Sequence, residues 1–113
     1  MIKIYHNPRC SKSRAGLKYL QEKGVEFECV EYLKDGFNEA ELAELICKTG
    51  LKPFDLIRTH EKDYKENYKG KEFTDEEWIK IMVENPRLIH RPIVVKEQKA
   101  VWAQPPEKVE ELL

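Results

Sequence analysis

The chain has 113 residues, 41% hydrophobic and 36% charged, which is enough to bury a core in one soluble domain under a heavily charged surface. Its 20 basic and 21 acidic residues leave a formal net charge of -1, which excludes a broad nucleic-acid or membrane surface but not a small basic pocket. No apolar run is long enough to span a bilayer, and the opening MIKIYHNP has no signal-peptide form. Three cysteines without regular spacing, no Cys-x-x-Cys and scattered histidines argue against a disulfide framework and against a structural metal site. A reducing, cytoplasmic location with no bound cofactor is the expectation.

In chain order, IKIY (2–5) reads as a short strand closed by the turn residues HNP. A helix is predicted from Ser11 to about Lys23, with Ala15, Leu17 and Leu20 among its apolar positions and Gly24 as its stop. The alternation in VEFECVEY (25–32) predicts a second strand. Together these make a right-handed β-α-β unit with two parallel strands.

Asn38 to Asn85 is helical with loops. NEAELAELICKTG starts with Asn38 as N-cap and Glu41 three residues on, and stops at Gly50. Pro53 opens another short helix. The lysine-rich EKDYKENYKGKEF is read as an exposed connection, with the charges from Lys62 to Lys71 in a solvated loop. TDEEWIKIMVENP carries a Thr74/Glu77 capping box and an apolar face of Trp78, Ile79, Met82 and Val83, ending by Pro86. PIVV (92–95) and AVWA (100–103), joined by KEQK, predict an antiparallel hairpin, and PPEKVEELL predicts a final helix. The expectation is one α/β domain over 1–113: a four-stranded mixed sheet with a helical insertion, about 38–88, between a β-α-β half and a β-β-α half.

That order puts Cys10 at the first β-α turn. A helix N-terminus or a nearby cation lowers a thiol pKa from about 8.5 to roughly 3.5–7.5. The free N–H groups of the first helical turn would face the sulfur. His6 is close enough in sequence to add a charge or a hydrogen bond, and Ser13, in Cys-x-x-Ser, can donate to the sulfur. The same geometry suits an oxyanion, most of all with arginines nearby. Arg9, Arg14, Arg58 and Arg91 are the candidates among five arginines, although Arg14, Arg58 and Arg91, each taken singly, fit a surface ion pair better. Ser11 reads as an ordinary helix cap, Cys29 as core, Cys47 as partly buried, and Trp78 and Trp102 as core or half-core anchors.

IYHNPRCSKSR, the LIR ending at Arg58 and LIHRPIVV (88–95) together resemble the ArsC-type arsenate reductases, the glutaredoxin-dependent class with a thioredoxin-like fold. The resemblance covers nearly the whole chain in order. It implies that Cys10 is the attacking thiolate and that His6 helps to keep it ionised. It implies Arg58 and Arg91 as anion-binding arginines, and Pro92 as the cis-proline facing the site. Arsenate or a similar oxyanion would be the substrate, glutathione a co-substrate and glutaredoxin a partner. The chain departs from the family where a third arginine follows the last strand: Gln104 and Pro105 stand there, an amide donor without charge. Two other readings stay open. One is a regulator like the Spx group, which shares the fold and binds RNA polymerase; its usual Cys-x-x-Cys switch is absent here. The other is a glutathione-dependent thiol reductase with another substrate.

Overall fold

The computed structural model describes residues 1–113. Strand β1 (Ile2–Tyr5) lies inside a four-stranded sheet. It pairs in parallel with β2 (Phe27–Val30), with Ile4 opposite Cys29, and antiparallel with β3 (Ile93–Lys96), with Ile4 opposite Val94. β3 continues as a hairpin into β4 (Lys99–Trp102), so the order is β2-β1-β3-β4. This is the mixed sheet expected from the sequence.

Helix α1 (Ser11–Lys23) links the two parallel strands. It ends at Gly24, whose φ of 71° is a left-handed C-cap that a side chain would strain. Its inward stripe is Ser13, Gly16 and Leu20, while Ala15 is exposed, contrary to the apolar pattern. The reason is steric. A Cβ on Gly16 would stand 2.6 Å from Pro92 Cγ, so close approach, not hydrophobicity, chooses that residue. β2 is shorter than expected. Glu31 already caps the one-turn helix α2 (Tyr32–Asp35), and Tyr32 turns into the core instead of extending the strand.

Helix α3 (Glu39–Thr49) begins as predicted, with the Asn38 side chain accepting from the Glu41 N–H. A 3-10 turn follows at Pro53–Leu56. The expected solvated loop contains a helix, α4 (Lys62–Asn67), with Tyr64 buried. Tyr64 and Tyr68 both lie 6.4 Å from the Trp78 ring centroid. This aromatic packing stabilises a turn of helix whose charged residues would not hold it alone. Helix α5 (Asp75–Glu84) has the predicted capping box and buries Trp78 and Met82. The chain ends in a 3-10 helix, Pro106–Leu112, with Val109 and Leu112 buried.

Two apolar clusters result. Ile2, Ile4, Leu20, Val94, Val101, Val109 and Leu112 form an aliphatic one between sheet, α1 and the C-terminal turn. The other joins α2, α3 and α5 to β3 and β4 around Tyr32, Trp78, Met82, Ile57 and Ile89. Two cysteine expectations are corrected: Cys29 and Cys47 are both exposed. Cys29 lies on an edge strand, and Cys47 lies off the buried Leu42–Leu45–Ile46 stripe of α3. No helix is long and apolar enough to cross a membrane.

Candidate active site

The turn HNPRC forms for local reasons. Pro8 occupies the second position of a turn closed by the Cys10 N–H on the Asn7 carbonyl at 3.0 Å. The Asn7 side chain accepts from the Arg9 N–H at 3.0 Å. Cys10, not Ser11, is then the N-cap of α1, and its carbonyl accepts the first helical bond, from Arg14 N–H at 3.0 Å. Its sulfur therefore faces the free amides of the first turn. Burial by itself would push the Cys10 thiol up. The Ser13 N–H, the Arg91 guanidinium beside it and the Lys12 N–H outweigh burial and bring it below its ordinary value.

Ser13 acts through its backbone, which corrects the expectation of a hydroxyl on the sulfur. Its Oγ is fully buried and accepts from the Asn7 N–H at 2.9 Å. It also shares a hydrogen bond with His6 Nδ1, 2.7 Å away. Burial lowers the His6 imidazole from its ordinary value, favouring the neutral ring over a charge beside Cys10. His6 instead braces the cysteine turn through Ser13. Arg14 is exposed and donates to the Pro8 carbonyl at 2.9 Å, holding the same turn from outside.

Arg58 and Arg91 meet through a backbone device. Ile57 and Ile89 form an antiparallel bridge, with Arg58 N–H on the Leu88 carbonyl (2.7 Å) and His90 N–H on the Leu56 carbonyl (2.8 Å). The segments LIR and LIHR are thereby clamped side by side. Arg58 and Arg91 line a cavity of about 260 Å³ together with Arg9, Arg87, Glu61, Asn7 and Leu33. A second hollow, about 490 Å³, adjoins it and shares Asn7, Arg9, Leu33 and Arg87. Arg58 is held by Glu61 Oε1 at 2.7 Å and by His60 Nε2 at 3.1 Å. Arg91 Nη1 donates to the Arg87 carbonyl at 3.1 Å. Pro92 follows a cis peptide bond and packs on Gly16, tying the arginine segment to the cysteine helix.

Sequence reasoning misses Arg87 and Tyr32. Arg87 sits in a 3-10 turn after α5, where nothing local marks it; only the fold brings it to Arg58. Tyr32 follows the end of a parallel strand, the side of an α/β sheet where sites gather, and that position was its one legible signal. Arg14 and Gln104 do not line the arginine cavity. Gln104 borders a separate groove with Trp102, Lys108 and Asp55. No group of three or more His, Cys, Asp or Glu side chains is placed to hold a metal ion.

With this geometry in hand, the relatives are informative. The model of the ArsC family matches residues 5–112. The chain is 46% identical to YfgD of Escherichia coli K12, an uncharacterised protein, over 99% of this chain and 96% of that one. It is 37% identical to an arsenate reductase of Neisseria meningitidis, over 99% of this chain and 97% of that one. The solved arsenate reductase of Vibrio cholerae superposes with a TM-score of 0.93 at 38% identity, covering 99% and 97% of the two chains. The protein belongs to the ArsC family and has its thioredoxin-like fold.

Proposed function

We propose that the protein is an arsenate-reductase-like thiol enzyme whose Cys10 thiolate attacks an oxyanion held by arginines. The observation that carries this is a thiol lowered at a helix start, with Arg91 both beside the sulfur and lining a cavity that also holds Arg58, Arg87 and Arg9. Arginine forks suit a tetrahedral oxyanion. In the first step the Cys10 sulfur bonds to arsenic and one arsenate oxygen leaves as water after taking up two protons. Arsenic stays pentavalent. Glutathione then adds its sulfur to arsenic and a second oxygen leaves as water. The glutaredoxin thiolate attacks the glutathione sulfur, forming a mixed disulfide and leaving the electron pair on arsenic. Trivalent arsenic remains on Cys10, and water releases it as arsenite. Two thiols are oxidised for each arsenate reduced.

A second reading, a thiol reductase with another substrate, is favoured by Gln104: the family's third cation is missing and its position borders another groove. One assay separates them: arsenate-dependent NADPH consumption with glutathione, glutaredoxin and glutathione reductase. The expected result is turnover that is lost in Cys10→Ser while the variant stays folded. Turnover persisting in Cys10→Ser would sink the mechanism. No turnover from a Cys10 that alkylates rapidly at neutral pH would favour the second reading.

A further inference from the structure

Two buried side-chain polar atoms, Tyr32 Oη and Arg91 Nε, have no hydrogen-bond partner. Buried polar groups are nearly always satisfied, so a pair of orphans in one place asks for a reason. Tyr32 is 1% exposed, and its ring is stacked on Phe37 at 5.7 Å. Phenylalanine would serve that packing as well, so packing does not account for the hydroxyl. The Arg91 guanidinium stands beside this hydroxyl, and its Nη1 donates to the Arg87 carbonyl. Burial pushes the phenol up to about 12 against the pull of Arg91 and Arg58, so the group stays neutral across the physiological range.

We propose that Tyr32 is a positioning residue for Arg91: with an oxyanion on the guanidinium, Arg91 Nε–H donates to the Tyr32 hydroxyl, and that buried bond holds the arginine fork in register beside Cys10. Binding is thereby strengthened by a contact that does not touch the ligand. The inference rests on the reading of the Cys10 site as an oxyanion site.

The test is protection of Cys10 from iodoacetamide by arsenate and by unreactive sulfate, in a background with the exposed Cys29 and Cys47 changed to serine. Tyr32→Phe is expected to weaken protection about tenfold, the usual scale for losing a hydrogen bond to a charged group. Its thermal stability without anion should change little, since the ring keeps its packing. In an Arg91→Ala background Tyr32→Phe should add nothing, because the two act as one unit. Equal protection in the wild type and Tyr32→Phe would overturn the inference and leave the oxyanion site standing. Additive losses in the double variant would also overturn it, since Tyr32 would then not act through Arg91. Absence of anion protection in the wild type would remove the site reading and the inference with it.

Discussion

The two apolar clusters differ in kind. The one under α1 is aliphatic and formed by segments whose periodicity is visible locally: β1, α1, the hairpin and the C-terminal turn. The one on the insertion side is built around Tyr32, Tyr64 and Trp78, from short helices and turns that mean little in isolation. The site lies on their seam. The first region supplies the activated thiol, and the second supplies Arg58, Arg87, Arg91 and Tyr32. A reactive cysteine can thus be prepared by local structure, whereas its anion pocket depends on long-range packing.

The largest expected effect breaks the second region alone. Trp78 is surrounded by Phe54, Phe73, Tyr64 and Tyr68, with ring centroids from 4.8 to 6.4 Å. Trp78→Ala should cost roughly 3–5 kcal/mol in urea unfolding. It should also weaken oxyanion protection of Cys10 more than it slows the intrinsic alkylation of that thiol. Equal loss of both would mean that the regions are not separable.

Gly16→Ala attacks the join. Its Cβ would meet the Pro92 ring at 2.6 Å, and a proline ring cannot swing aside. A destabilisation of about 1–3 kcal/mol is expected, with a slower Cys10, because α1 and Arg91 must move apart. An unchanged melting temperature and alkylation rate would show that the contact gives way freely.

His90 reports on the insertion side through pH. Burial, with Arg58, His60, Lys12 and Arg91 nearby, lowers its pKa to about 4, and its ring stacks on Trp102 at 4.1 Å. The unfolded chain takes up the proton near pH 6.5 and the folded one only near pH 4. Stability from this group is therefore complete above pH 6.5 and is lost as pH falls toward 4. His90→Phe, which keeps the stack, should flatten that acid limb by on the order of 1 kcal/mol, allowing for screening of a half-exposed ring. Denaturant titrations at pH 7 and pH 4.5 give the difference.

The smallest effect sharpens the first region. Glu97, in the β3–β4 turn, has a φ of 55°, which a side chain adopts at a cost. Glu97→Gly should stabilise the protein by roughly 0.5–1 kcal/mol without changing Cys10 reactivity. A decrease in stability would mean that unfolded-state entropy dominates at this turn.

Much of this was legible in the chain. The mixed sheet, the Asn38 cap of α3, the capping box of α5 and the place of Cys10 at a helix start follow from periodicity, turn residues and cap chemistry, which act over a few residues. Local rules also misled in definite places. Tyr64 made a helix of an apparent loop, Cys29 lay on an edge, and Ser13 turned its hydroxyl to His6 instead of the sulfur. What only the tertiary structure decided is the anion pocket: the Ile57–Ile89 bridge that clamps two arginine segments together, the arrival of Arg87, and the unpaired hydroxyl of Tyr32 behind Arg91. The physical reason is range. A cap or a turn is chosen by neighbours in sequence, but a cavity exists only after residues far apart in the chain have packed and excluded water from the groups between them.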